Sequence, residues 1–247
     1  MKKLKLLDTF AGIGGFSYAA EKLVGGFETT QFIEINPFSQ KILNKHWSHV
    51  PIHDDITTFT AKPREFDIIT GGFPCQDISV AGLQKGITKE TRSGLFYELM
   101  RVIRMVRPKY IVLENVAAIL NNGLDIVLGE LSKTGYNAEW SIISASSLGA
   151  CHRRSRWWCV ATLANSNSKR LQRENFSEME RKIWGEGTPR CLNPDWRSYV
   201  SKPILCRGDD GLRGRMDRLK ALGNAVVPQV AAIPMQRVLD IEKNINK

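Results

Sequence analysis

Cys75 lies in the segment GGFPCQDISVAG, Gly71 to Gly82, directly after a proline and directly before Gln76 and Asp77. A cysteine used only for packing belongs in an apolar run, because a free thiol behaves as a small buried hydrophobe. This one follows glycines and a ring-constrained residue, a setting that fixes a thiol while leaving it reachable. A short apolar run, Phe66–Ile69, feeds straight into it. A second apolar run, Tyr110–Leu113, passes into ENV, Glu114 to Val116, and delivers a carboxyl group in the same way. A thiol and a carboxyl at the ends of two such runs suggest a nucleophile beside a proton donor or hydrogen-bonding group. Taken singly, each has a plainer reading: inert packing for the cysteine, a cap or ion-pair partner for the glutamate.

Three further features have the chemistry of a nucleoside pocket. DTFAGIGGF, Asp8 to Phe16, follows the first apolar run. Glycines between a parallel strand and its helix let a ligand approach the backbone, and the helix N-terminus favours polar or anionic groups. The spacing is not GxGxxG, which argues against a dinucleotide. Glu34 ends the next apolar run, where a carboxylate can accept from ribose hydroxyls, and Asp55 follows in DDIT. In open α/β sheets, ligands bind at the carboxyl ends of the strands, and these residues fall there together.

The elements that must hold them are visible in the hydrophobic pattern. Leu4–Leu7, Thr30–Ile33, Phe66–Ile69 and Tyr110–Leu113 are short, apolar and bounded by polar residues or glycine, as buried strands are. Gly15–Val24, Pro37–Trp47 and Arg92–Val106 between them carry helical spacing, with Pro37 suited to a first turn and Pro108 just past an end. Such alternation predicts a largely parallel sheet covered on both faces. Glu139–Ala145 and Arg156–Ala161 could close it as an antiparallel pair. From Thr162 the chain turns polar and basic, with Trp184, Trp196 and Tyr199 among the charges, and reads as an insert. Regular structure returns at Arg218, and Val230–Ile241 is a closing helix.

Lys and Arg number 35 against 25 Asp and Glu in 247 residues, a net charge of +10. Such a surplus favours a polyanionic partner. It is concentrated in Ala150–Lys220, where basic residues are twice as many as acidic ones. The five cysteines are scattered without a CxxC pair, so neither a zinc site nor a disulfide framework is expected. The basic opening MKKLKLLDTF is cut by Asp8 before any signal-peptide core forms, and no apolar stretch reaches bilayer-spanning length. A cytoplasmic setting without a membrane is the expectation.

TFAGIGG, GGFPCQDISVAG with the following RSGLF, LENV, the cluster RRSR and ALGNAVVPQ occur in an order that resembles the C5-cytosine DNA methyltransferases. The likeness runs from Leu4 to about Ala161 and from Arg218 to Val230, and Pro-Cys-Gln followed by Glu-Asn-Val is its most specific part. It implies an α/β fold: a Rossmann-like class I methyltransferase sheet, mostly parallel with one antiparallel edge strand, carrying a small target-recognition insert. Residues 1–161 would be the catalytic domain, 162–217 the recognition region and 218–247 a segment returning to the catalytic domain. The implied cofactor is S-adenosyl-L-methionine. Phe10, Gly12, Gly14 and Gly15 would wrap its methionine part, Glu34 would hold the ribose, and Ile35 would lie against the adenine. Asp55 with Ile56 would contact the adenine edge, and Asn224 and Val226 would complete the pocket.

The same resemblance makes Cys75 the nucleophile that adds to the cytosine ring. Glu114 would bind the ring nitrogen and exocyclic amine, and Arg154 and Arg156 would contact the base carbonyl oxygen. The partner implied is double-stranded DNA with the cytosine flipped out, the chain acting alone or with a cognate restriction endonuclease. Gln76–Ser93 has the composition of a mobile loop, and it is expected to close over the flipped nucleotide. Arg207, Arg213 and Arg215 are candidates for phosphate or base contacts. The sequence departs from the family pattern at His152, where glutamine is usual, and in an insert shorter than a typical recognition region. Two other readings stay open: a catalytically silent DNA-binding regulator of the same fold, and an RNA cytosine-C5 methyltransferase.

Overall fold

The computed structural model describes residues 2–74, 94–164 and 215–245. Cys75, the Gln76–Ser93 segment, most of the 162–217 insert with Arg207 and Arg213, and the side chain of Arg215 lie outside the described residues.

Seven strands form one sheet: β1 (Leu4–Thr9), β2 (Phe27–Ile33), β3 (Ile52–His53), β4 (Ile68–Gly72), β5 (Tyr110–Val116), β6 (Tyr136–Ser144) and β7 (Ser155–Leu163). Their order is β3-β2-β1-β4-β5-β7-β6. All pairs from β3 to β5 are parallel, and β7 runs antiparallel to both β5 and β6. The chain steps outward from β1 to β3 and then crosses back to lay β4 on the other side of β1. Strand order therefore reverses between β1 and β4, which opens a crevice at their carboxyl ends. The sheet is mostly parallel, as its alternating pattern predicts, and the two late β runs close it as an antiparallel pair.

Both faces are buried, so the central strands read as continuous apolar runs rather than alternating ones. Leu7, Ile69, Ile111, Leu113, Cys159 and Ala161 point to one face. There they meet α3 (Leu95–Val106), whose Phe96, Leu99, Met100, Val102, Ile103 and Val106 are fully buried. Leu6, Ile68, Tyr110, Val112, Trp158 and Val160 point to the other face. It is covered by α1 (Gly15–Tyr18) with the wide turns Ala19–Val24 that continue it, and by α6 (Pro228–Ile245). Phe16 meets Trp158 edge to face at 5.7 Å. A smaller cluster joins Phe32 of β2 to Leu43 and Trp47 at the end of α2 (Pro37–His46).

Local rules set the element ends. Asn36 caps α2 by accepting from the Phe38 and Ser39 amides at 2.8 and 3.3 Å, with Pro37 preset in the first turn. Arg107 stops α3 in a left-handed conformation (φ 53°), just before Pro108. The pattern gives no sign of β3, only two residues long, or of α4 (Leu124–Lys133), while the regular structure expected from Arg218 is α5 (Arg215–Asn224), which starts three residues earlier.

One buried ion pair ties α6 to the edge of the sheet. Arg237, 4% exposed, donates from Nε to Glu139 Oε1 at 2.6 Å and from Nη2 to Oε2 at 3.2 Å. Removing Glu139 strands the buried Arg237 cation in an apolar setting, whereas removing Arg237 leaves a carboxylate that water can still reach. Glu139 is partly exposed, so the penalty is smaller than for a fully buried pair. In urea unfolding, Glu139→Leu should lower stability by about 2 kcal/mol and Arg237→Met by clearly less.

Candidate active site

The turn after β1 is built around a carboxyl group without solvent contact. Asp8 Oδ2 accepts from the Ser17 hydroxyl at 2.7 Å and from the Ser17 amide at 3.3 Å, and Oδ1 accepts from the Thr70 hydroxyl at 2.7 Å. One side chain thus joins β1, β4 and α1. Burial outweighs these three donors and pushes the Asp8 carboxyl up to about 7. The backbone then turns sharply, with Phe10 at φ 52° and Gly12 at φ 55°. At Gly14 (φ 84°) a Cβ would come within 2.6 Å of the Trp47 ring, and at Gly15 it would meet the Val226 carbonyl at 2.7 Å. No side chain fits at either place, so the turn is pressed between α2 and the segment that precedes α6.

Glu34 sits just past β2, directly beside this turn. Its Oε2 accepts from the Gly12 amide at 2.7 Å and its Oε1 from the Asn36 amide at 2.8 Å. The carboxylate is held in place with lone pairs to spare, as a pair of hydroxyls would require. Ile35 next to it is 70% exposed, an apolar surface beside a fixed acceptor. Beyond β3, the Asp55 carboxyl accepts from the Thr57 amide at 2.9 Å, and that bond holds it below the usual carboxylate range. Ile56 is buried beneath it. Phe10 and Gly12 follow β1, Glu34 and Ile35 follow β2, and Asp55 and Ile56 follow β3, so all six lie beyond the carboxyl ends of neighbouring strands.

The second half of the site is on β4, β5 and β7. Glu114 pairs with Gly72 in the β4–β5 register, and a Cβ on Gly72 would lie 3.2 Å from Glu114 Oε2 and 4.0 Å from a Val226 methyl. Arg156 Nε stands 3.1 Å from Glu114 Oε1. Burial raises the Glu114 carboxyl to about 7, against the pull of Arg156 and, more weakly, Arg154. Arg154 turns elsewhere: its terminal nitrogens donate to the carbonyls of Gly223 at 3.0 Å and Ala225 at 2.7 Å. Those carbonyls flank the exposed Asn224. The structure thus joins Glu114, Arg156 and Val226 around the end of β4, and joins Arg154 to the C-terminal segment.

Some residues that shape the site carried no signal in the sequence reading beyond their place in a motif. Asn115, buried, donates to the Phe73 carbonyl at 3.2 Å and accepts from the Val116 amide at 2.8 Å. It anchors the backbone two residues before Cys75. Thr9, buried under Gly71, donates to the Thr70 carbonyl at 2.6 Å. A cavity of about 820 Å³ opens beside the glycine turn, with Ile13, Trp47, His152, Arg154, Leu222 and Val226 in its wall. It borders the residues described above without including Glu34, Ile35 or Asp55.

Residues 4–199 match the model of the family described as C-5 cytosine-specific DNA methylase. The chain belongs to this family. Among its curated relatives, the type II methyltransferase M.CviJI of Paramecium bursaria Chlorella virus IL3A is 37% identical over 205 residues, covering 81% of this chain and 54% of the relative. The type II methyltransferase M.MspI of Moraxella sp is 31% identical over 223 residues, covering 87% and 51%. The chain spans about half the length of these curated relatives. Among solved structures, the S. pombe Dnmt2 methyltransferase aligns with a TM-score of 0.55 at 27% identity, over 68% of this chain and 53% of that one. The Entamoeba histolytica methyltransferase EhMeth aligns with a TM-score of 0.66 over 97% and 99%, and at 17% identity shows the shared fold.

Two titrations test the electrostatics of this site. Asp8 has a folded pKa of about 7 against 3.8 unfolded, so the native state holds its proton longer. Its contribution to stability is fully present below about pH 4 and is lost as pH rises through about 7. Asp8→Asn should therefore flatten the decline in melting temperature between those values. In carbon NMR of the carboxyl groups, Glu114 should titrate near 7. Arg156→Gln should move that midpoint upward, because removing the cation favours the neutral acid.

Proposed function

We propose that this chain transfers a methyl group from S-adenosylmethionine to C5 of a cytosine flipped out of double-stranded DNA, through a covalent adduct with Cys75. The observation that carries this reading is the Glu114–Arg156 pair at the end of β5, directly beside the end of β4. The next residues along the chain are Phe73, Pro74 and Cys75. A half-neutral carboxyl and a guanidinium at this edge, with a thiol three residues further along the chain from β4, match what addition to a pyrimidine ring requires.

Cytosine C5 is a poor nucleophile. Addition of the Cys75 thiolate to C6 breaks the C5–C6 double bond and pushes an electron pair through the ring toward N3. Glu114, with a proton to share near neutral pH, stabilises that charge at N3 and accepts from the exocyclic amine. Arg156 aims the carboxyl and presents its remaining donors toward the base carbonyl. C5, now enamine-like, takes the methyl group. Loss of the C5 proton and expulsion of the Cys75 thiolate then restore the aromatic ring. Arg154, donating to the Gly223 and Ala225 carbonyls, secures the segment that carries Asn224 and Val226.

S-adenosylmethionine, when bound, supplies the electrophilic methyl group. The residues present suit it: Glu34 is a fixed acceptor for the ribose hydroxyls, exposed Ile35 offers a flat apolar contact for adenine, and ionised Asp55 accepts from the exocyclic amine. Gly12, Gly14 and Gly15 present bare backbone to the methionine part.

Reaching C5 requires extrusion of the base, which costs a few kcal/mol and is offset by pocket contacts and charge pairing with phosphates. The net charge of +10 supplies the latter. Residues 162–217 would hold the target-recognition determinants, Arg207, Arg213 and Arg215 among them, and residues 218–247 would return to the catalytic body. Cys75→Ser should abolish transfer of tritiated methyl groups to duplex DNA while leaving a DNA complex in gel shifts. An oligonucleotide with 5-fluorocytosine at the recognised position should become covalently attached to the wild-type protein and not to the variant. Transfer to tRNA and not to duplex DNA would redirect the substrate assignment to RNA, and no transfer with retained DNA binding would favour the silent regulator.

A further inference from the structure

The turn that carries Asp55 and Ile56 has a weak footing of its own. It hangs from β3, which pairs with β2 through only Ile52 and His53. Within the turn, the Thr58 amide donates to the Asp55 carbonyl at 3.1 Å and the Phe59 amide to the Ile56 carbonyl at 3.3 Å. Ile56 and Phe59 are buried against the core, which fixes the depth of the turn but not its tilt, since apolar contact is non-directional. The Thr58 hydroxyl donates to the Asp55 carbonyl at 3.1 Å and lies 2.9 Å from His53 Nε2, and the directional support from outside this strand and turn comes from α3. Arg101 donates from Nη2 to the Ile56 carbonyl at 2.6 Å and to the Thr57 carbonyl at 3.2 Å, and from Nη1 to the Phe59 carbonyl at 3.0 Å. Its Nε donates to Glu98 Oε2 at 2.7 Å.

We infer that Arg101 is a positioning residue for recognition of the adenine ring: its guanidinium, aimed by Glu98, fixes the turn that places Asp55. This rests on the proposed reading of Asp55 as an acceptor for the exocyclic amine. The geometry explains why arginine stands there. A planar fork with five fixed donors reaches three carbonyls of one turn while its Nε still serves Glu98, whereas a compact ammonium has only three donors on one freely rotating nitrogen. The anchor is rigid because its neighbours on α3, Leu99, Met100, Val102 and Ile103, are fully buried against the sheet. Arg101 touches neither cofactor nor substrate in this arrangement, so its effect on binding passes entirely through the turn.

The test compares binding of S-adenosylhomocysteine with that of S-inosylhomocysteine, in which the exocyclic amine is replaced by a carbonyl oxygen. Calorimetry on the wild-type chain should show a clear preference for the adenine form. Arg101→Met, which keeps the apolar stem and removes the donors, should weaken S-adenosylhomocysteine by about tenfold or more while weakening the inosine form little, so that the preference collapses. Arg101→Lys should not restore it, and Glu98→Gln should reduce it less. Equal weakening of both ligands would assign Arg101 a purely structural role and overturn the inference, as would an unchanged preference. Should Arg101→Met fail to fold, the lysine and Glu98 variants give the same comparison, and an undiminished preference in both overturns it. A wild-type chain that binds neither ligand would overturn the cofactor reading, and this inference with it. A wild-type chain that binds both equally would remove the role of Asp55.

Discussion

Asp8 accepts from Ser17 and Thr70, so a single carboxyl group without solvent contact holds together the ends of β1 and β4 and the first turn of α1. Everything at the carboxyl edge is referred to that junction. The glycine turn leaves β1 at the next residues, Gly71 and Gly72 leave β4 beside it, and the chain continues to Cys75. A lone apolar residue at position 8 would leave the Ser17 amide and two hydroxyls unsatisfied, a larger cost than the burial of a neutral acid. The elevated pKa follows from the same accounting, since burial disfavours the charge more than three donors favour it.

Around this junction the charges are arranged to be incomplete. Glu114 faces Arg156 closely enough for an ion pair, yet its carboxyl is raised rather than lowered, because its burial outweighs the cations. A carboxyl of that kind exchanges its proton near neutral pH, which a fully exposed ion pair would not. Arg154 is committed to backbone carbonyls instead, and half burial holds its own pKa below the usual guanidinium range. Two arginines two positions apart, Arg154 just before β7 and Arg156 its second residue, thus face different partners, one a loop and the other a side chain.

The sheet and the first half of the site were legible because they rest on short-range chemistry. Apolar runs of strand length, a proline at a helix start and a carboxylate such as Glu34 at a strand end all announce themselves locally. Strand β3 escaped because two residues carry no periodicity. Helix α4 has a glycine, Gly129, in its interior, which dilutes the helical signal. Arg154 shows a different limit. RRSR reveals a basic cluster, but which arginine reaches Glu114 and which reaches Gly223 is decided by a contact across 69 residues of chain. Arg101 and Asn115 were hidden for the same reason: each acts on a backbone more than 40 residues away.

The return of the C-terminal segment is the most demanding of these long-range contacts. Val226 approaches the glycine turn so closely that a Cβ on Gly15 would strike its carbonyl, and its side chain also reaches the end of β4. That proximity is enforced from three directions. The fully buried residues of α6 pull the segment onto the sheet, Arg154 holds the carbonyls on both sides of Asn224, and the absent side chain of Gly15 makes room for it. Loop-closure entropy grows only slowly with length, so the long excursion between β7 and α5 adds little to the cost of this return. A region of variable size can therefore be inserted there without disturbing the edge of the sheet where Glu114, Arg156 and Val226 meet. In the proposed reading, the insert answers only to the DNA, while α6 and Arg154 keep the catalytic edge fixed whatever its length.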